Sequence, residues 1–204
     1  LSTDKAVNPI NLYGASKLAS DKIFVAANHL SGSIGTKFAV VRYGNVIGSR
    51  GSVIPLFLKL LRQNTDHLPI TDPNMTRFWL SMQTGVDFVL SCLEMMQGEE
   101  VFVPKIPSMK MVNVAKAIAP DLPQKVVGIR PGEKLHEIMI SEDDANMTLE
   151  LEDRYIIKPC FSSLVNPPSY PGEKKVDVGF SYRSDTNTVW LNSNDLMEII
   201  SDTM

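Results

Sequence analysis

Two short runs near the start of the chain bring together residue types that can move protons: Thr3-Asp4-Lys5 and Tyr13-Gly14-Ala15-Ser16-Lys17. On a helix, positions i and i+4 lie on one face, about 6 Å apart along the axis. Tyr13 and Lys17 can therefore act on one small volume. A free tyrosine, with a pKa of about 10, is a poor base at neutral pH. A nearby ammonium favours the phenolate and lowers that pKa. The spacing suits a phenolate that removes a hydroxyl proton during hydride transfer. Thr3 can hydrogen-bond the same hydroxyl. Tyr-x-x-x-Lys also occurs on ordinary solvated helix faces. What sets this one apart is its place just past Ser2-Thr3-Asp4-Lys5, because ligands of open α/β sheets bind outside the carboxyl ends of the strands.

The elements that must position these groups follow from periodicity. Leu1 to Lys5 reads as a strand end or the turn after it, and Asn8-Pro9 as a loop. A helix is expected from Asn11, with Leu12, Ala15, Ala19, Ile23, Ala26 and Leu30 as its buried stripe. Gly32 to Gly35 ends it. Phe38-Ala39-Val40-Val41 is a continuous apolar run, as expected of a buried parallel strand. Further helices are expected over 53–61, around Val86 to Leu93, and over 111–118. Strands are expected over 68–72, 77–80, 101–103, 126–129 and 154–158. The stretch from Cys160 to Tyr182 reads as loop. The predicted class is α/β: the C-terminal half of a Rossmann-like doubly wound parallel sheet, plus a smaller mixed α/β subdomain. A complete dinucleotide-binding domain opens with a strand, a Gly-rich turn and a helix. No such opening precedes Leu1, so the sequence reads as a piece lacking its N-terminal half. Gly44, Gly48 and Gly51 mimic a dinucleotide fingerprint, but the spacing is wrong for G-x-G-x-x-G.

Composition narrows the function classes. With 204 residues, 44% hydrophobic and 21% charged, the chain can bury a sizeable core. A net charge of −3 argues against a general attraction to nucleic acid, so no nucleic-acid partner is expected. No apolar run approaches the roughly 18 residues that span a bilayer, so no membrane partner is expected. The start carries no secretion signal, and a cytoplasmic location is expected. Cys92 and Cys160 read as reduced thiols. The three histidines, His29, His67 and His136, show no metal-ligand spacing, so no metal is expected.

The run Ser2-Thr3-Asp4-Lys5-Ala6-Val7-Asn8-Pro9 with Tyr13-Gly14-Ala15-Ser16-Lys17 resembles the extended short-chain dehydrogenases/reductases. Within them it is similar to the inverting UDP-N-acetylglucosamine 4,6-dehydratases (5-epimerising) that begin pseudaminic acid synthesis. Arg42-Tyr43-Gly44-Asn45-Val46-Ile47-Gly48-Ser49-Arg50-Gly51-Ser52-Val53-Ile54-Pro55 fits the same pattern. So do Thr71-Asp72-Pro73-Asn74-Met75-Thr76-Arg77-Phe78 and Arg130-Pro131-Gly132-Glu133-Lys134. Related dehydratases of capsule synthesis often carry Met where this chain has Tyr13.

The resemblance implies a lyase that uses NADP, with NAD as the alternative. It implies that Tyr13, helped by Thr3, takes the C4 hydroxyl proton, while Lys17 orients the nicotinamide ribose. Lys5 would be the base at C5, which requires a depressed pKa. Asp4 would protonate the departing C6 hydroxyl. Tyr13, Lys17 and Tyr43 would contact the cofactor. Lys5, Asn45, the backbone at Val53 and Ile54, Arg77, Arg130 and Glu133 would hold the UDP-sugar, the two arginines on phosphate oxygens. Residues 1–52 would belong to the cofactor domain. Residues 53–204 would form mainly the nucleotide-sugar subdomain, with segments returning to the first. The family often forms homo-oligomers, and this piece alone would be inactive without its N-terminal half. Two readings compete: a C4-epimerase or other oxidoreductase on the same scaffold, and a non-catalytic nucleotide-sugar-binding module. A plain C4-epimerase needs no acid-base pair at C5 and C6, which leaves Asp4 and Lys5 without a task.

Overall fold

The computed structural model describes residues 1–31, 35–159 and 169–203. Along the chain the strands are β1 (Ser2–Thr3), β2 (Val40–Tyr43), β3 (Asn45–Val46), β4 (Leu68–Ile70), β5 (Thr76–Leu80), β6 (Val101–Pro104), β7 (Ser108–Lys110), β8 (Gln124–Val126), β9 (Ile138–Ile140), β10 (Thr148–Glu150), β11 (Arg154–Ile157), β12 (Lys174–Lys175) and β13 (Tyr182–Arg183). The helices are α1 (Leu12–Ser31), α2 (Val53–Arg62), α3 (Met82–Met95), α4 (Met111–Ile118) and α5 (Ser193–Thr203). The chain folds as two compact units. Unit 1 comprises Leu1–Tyr43, Val86–Lys105 and Ile138–Tyr182; unit 2 comprises Gly44–Gly85, Ile106–Glu137 and Arg183–Met204.

Unit 1 is built on a six-stranded sheet of order β1-β2-β6-β11-β10-β12. β1, β2 and β6 run parallel, with Ser2 opposite Arg42 and Val41 opposite Phe102. β11 runs antiparallel to β6, and β10 antiparallel to both β11 and β12. The β1–α1–β2 passage is the crossover expected of a doubly wound sheet. Val41, Phe102, Leu149 and Ile156 pack with Phe88, Cys92 and Tyr170 into the core of this unit.

Unit 2 carries two small sheets. β3 pairs parallel with β5, which pairs antiparallel with β7. β4 pairs parallel with β8. Ile54 and Phe57 of α2, Trp79 of β5, Val114 and Ala115 of α4, and Leu196 and Ile200 of α5 share one core. The helix expected over 53–61 and that over 111–118 are present, because each carries a strong apolar stripe.

Three expectations need correction. The stripe Leu12, Ala15, Ala19, Ile23, Ala26 and Leu30 lies on the exposed side of α1; Leu12 is 86% and Leu30 88% exposed. The buried positions are Gly14 and Asp21. Asp21 sits two residues from both Ala19 and Ile23, about 200° round the helix. The packing face is thus chosen by a close backbone approach at Gly14 and an ion pair at Asp21, not by the apolar stripe. The strand expected at 126–129 is β8, shifted to Gln124–Val126. The expected loop from Cys160 to Tyr182 holds β12 and the first residue of β13, while residues 160–168 lie outside the described residues. The strands β7 and β10 and helix α5 carry no run long enough to announce them, and the apolar triplet Ile138–Ile140 of β9 was not read as a strand.

Candidate active site

Thr3 ends β1 and caps the 3₁₀ turn Asp4–Ala6. Its hydroxyl donates to Asp4 Oδ1 at 2.8 Å and accepts from the Lys5 backbone N–H at 3.4 Å. Lys5 Nζ donates to the same Oδ1 at 3.0 Å. The Asp4 carboxyl is fully buried, and its Oδ2 has no hydrogen-bond partner among the described residues. Hydroxyl, carboxyl and ammonium thus form one chain of contacts at the carboxyl end of a parallel strand. The side chain of Lys5 is 36% exposed.

Helix α1 packs against this turn. The approach is close enough that a Cβ at Gly14 would lie 2.4 Å from the Lys5 carbonyl oxygen. Only glycine permits that contact. Asn11 Oδ1 accepts from the Gly14 N–H at 2.7 Å and satisfies one of the free donors of the first helical turn. Tyr13 stands in that first turn, 55% exposed. Lys17, one turn on, donates from Nζ to the Leu1 carbonyl at 3.2 Å.

One turn beyond Lys17, Asp21 is buried against Arg42 of β2, Oδ2 to Nη2 at 3.2 Å. Arg42 Nη1 also donates to the Met139 carbonyl of β9 at 2.9 Å, and β9 packs against the Asp4–Ala6 turn. Arg42 therefore ties helix, sheet and turn together. The sequence reading missed both residues. The available signal was a charge inside an otherwise apolar strand, opposite an acid at i+4 from Lys17. Tyr43 ends β2 opposite Thr3 and is half-buried, and burial raises its phenol pKa.

The residues expected to hold a nucleotide lie in unit 2. Asn45 is half-buried on β3, opposite Trp79. Val53 and Ile54 open α2. Their N–H groups belong to the first turn, where no intrahelical partner exists, and Pro55 follows with no N–H at all. Ile54 is wholly buried, backbone included. Val53, Pro69, Ile70, Val127 and Arg130 line one cavity of about 50 Å³. Arg130 is 70% exposed and pairs with Glu133 at 3.4 Å across a turn that Gly132 makes at φ 82°. Arg77 is only 12% exposed. It donates to the carbonyls of Thr76, Lys134 and Leu135 at 2.7 to 3.1 Å and faces Glu137 at 3.6 Å. Its guanidinium thus holds the segment that follows Arg130.

Tyr13 is thus exposed on the first turn of α1 and Lys17 is bound to the Leu1 carbonyl, in the same unit as Thr3 and Lys5. Among the described residues no group of His, Cys, Asp and Glu has the geometry to hold a metal, and no helix is long and apolar enough to cross a membrane.

A family model described as polysaccharide biosynthesis protein matches residues 1–159. The inverting UDP-N-acetylglucosamine 4,6-dehydratase of Campylobacter jejuni subsp. jejuni serotype O:23/36 (strain 81-176) is 56% identical over 209 aligned positions, covering 100% of this chain and 63% of the relative. The chain thus spans less than two thirds of that protein's length. The X-ray structure of Pen from Bacillus thuringiensis superposes with a TM-score of 0.84 at 30% identity, over 98% of this chain and 61% of that one. DesIV from Streptomyces venezuelae, a dTDP-glucose 4,6-dehydratase solved with NAD and TYD bound, shares the fold at a TM-score of 0.57 and 20% identity. That match covers 66% of this chain and 48% of DesIV.

Proposed function

From the premise that the chain belongs to the polysaccharide biosynthesis protein family, we propose that it carries the catalytic residues of an NADP-dependent lyase that dehydrates UDP-N-acetylglucosamine across C4 to C6 and inverts C5. The observation that carries this reading is the contact of Lys5 Nζ with the Asp4 carboxyl beside Thr3, in the same unit as Tyr13 and Lys17.

When bound, the nicotinamide cofactor supplies temporary storage for the hydride that leaves C4 and later enters C6. Tyr13 takes the C4 hydroxyl proton, and Thr3 orients that hydroxyl. Lys17, whose ammonium donates to the Leu1 carbonyl, would hold the cofactor ribose, and Tyr43 would contact the same cofactor. The C4 ketone acidifies C5, and Lys5 removes that proton. Asp4 would provide the proton for the departing C6 oxygen. Water leaves, and a proton returned to the opposite face of C5 completes the inversion. Arg77, Arg130, Asn45 and Glu133, with the backbone at Val53 and Ile54, hold the uridine diphosphate. A guanidinium suits phosphate oxygens because its donors form a fixed fork.

Incubating the full-length protein with UDP-N-acetylglucosamine in deuterated water and reading the sugar by NMR tests the reading. A 4-keto-6-deoxy product with inverted, deuterated C5 is expected. Product altered only at C4 would overturn it.

A further inference from the structure

The Arg130 to Glu133 turn is exposed, yet the chain just after it is fastened deep in unit 2. Thr76 N–H donates to the Leu135 carbonyl at 3.1 Å. The Thr76 hydroxyl lies 2.8 Å from His136 Nδ1 and 2.7 Å from Ser184 Oγ. Ser184 Oγ accepts from the Glu137 N–H at 2.9 Å, and the Ser184 N–H donates back to the Glu137 carbonyl at 2.9 Å. Thr76 and Ser184 are essentially without exposed surface, whereas the His136 side chain is 21% exposed.

Counting hydrogens gives this knot a direction. Each hydroxyl has a single proton to donate. His136 Nε2 faces the Asp185 carboxylate at 3.9 Å, which favours the tautomer protonated at Nε2. Nδ1 is then an acceptor, so Thr76 donates to it and Ser184 donates to Thr76. A proton added at Nδ1 would turn that nitrogen into a donor. Thr76 would have to reverse, and Ser184 would be left with the Thr76 carbonyl at 3.3 Å as its outlet.

We propose that Thr76, His136 and Ser184 are positioning residues that latch the 130–137 segment, presenting Arg130 and Glu133 to the nucleotide while His136 is neutral and releasing them when it is protonated. The proposal rests on reading Arg130 and Glu133 as nucleotide contacts. The charged groups around His136 are Asp185, Arg183, Arg77 and Asp72. Burial and the two arginines oppose protonation, the two aspartates favour it, and the balance holds the ring below the ordinary histidine value of 6.5. The latch therefore stays closed at neutral pH and opens under acid.

The test uses UDP-N-acetylglucosamine, whose diphosphate diester does not titrate in this range. Its binding to the full-length protein is measured by calorimetry at about pH 8 and about pH 5. The wild type is expected to lose about tenfold in affinity at the lower pH. His136→Asn, whose Oδ1 replaces Nδ1 as an acceptor toward Thr76 but cannot be charged, is expected to stay nearly constant. Thr76→Val is expected to bind about tenfold more weakly at both values, with kcat little changed and KM raised. A His136→Asn curve that follows the wild type, or a Thr76→Val protein that binds like it, overturns the latch. A second measurement needs no ligand: limited trypsin cleavage after Lys134, whose carbonyl Arg77 holds at 2.8 Å. Thr76→Val should be cut faster at about pH 8. Equal cutting overturns the latch, whereas faster cutting in a protein that binds no UDP-sugar would sink the nucleotide reading alone.

Discussion

Asp21 and Arg42 meet inside unit 1, Oδ2 to Nη2 at 3.2 Å, with only 4% and 5% of their surfaces exposed. A buried ion pair is weak evidence for net stability, but breaking one half of it leaves an uncompensated charge. Asp21→Ala should therefore cost about 3–5 kcal/mol. The double change Asp21→Ala with Arg42→Leu should recover much of that loss, because both charges are gone. Denaturant midpoints of the full-length variants measure both. A single variant as stable as the wild type would show that the pair carries no anchoring role.

Gly14→Ala should separate helix formation from catalysis. Alanine favours a helix by about 1 kcal/mol over glycine. Here its Cβ would stand 2.4 Å from the Lys5 carbonyl, a backbone atom that cannot swing aside. The helix must shift relative to the Asp4–Lys5 turn. Retained helical circular dichroism with at least a tenfold fall in kcat is expected, since displacements of about 1 Å can cost that much or more. Unchanged turnover would mean that the close approach does not position Tyr13.

Tyr13→Phe and Lys5→Ala should stop different steps. Each would remove a group to which proton transfer is assigned above, a loss of about 10²- to 10⁴-fold. Tyr13→Phe should block formation of the C4 ketone, so no deuterium enters C5. Lys5→Ala should permit reduction of the bound cofactor, visible by absorbance, but no C5 exchange. Identical phenotypes for the two variants would contradict the division of labour.

Cys92 should be inert. Burial pushes its thiol up to about 12, against the opposing pull of the Arg154 guanidinium. At about pH 8 only about one molecule in ten thousand would carry the reactive thiolate. In a Cys160→Ser background, a thiol reagent should read no fast-reacting cysteine until denaturant is added. Rapid labelling of the native protein would show that the core around Phe88 and Arg154 opens readily.

The legibility of this chain varied with how local each signal was. Helices α2 and α4 were readable because their apolar stripes face the core they help to form. The apolar run Phe38–Val41 announced a parallel strand, and the strand itself lies two residues later, at Val40–Tyr43. Helix α1 was readable as a helix but not in its orientation, since its apolar stripe is the face left exposed. Arg77 shows the same limit within the site. Its type and neighbours suggested a phosphate contact, and its place shows a guanidinium also engaged with three backbone carbonyls.

Residue type and near-neighbour spacing were enough to suggest the chemistry proposed above. Thr3, Asp4 and Lys5 are adjacent, and Tyr13 and Lys17 are one helical turn apart, so local geometry alone brings each group together. Contacts across long separations were beyond such a reading. Arg42 reaches Met139 across 97 residues, and Thr76 reaches Ser184 across 108. No periodicity encodes those meetings, because they exist only once separate strands and helices have packed. Tertiary structure therefore decided which face of α1 is buried, how the Asp4–Ala6 turn is braced, and what fastens the Arg130–Glu133 turn.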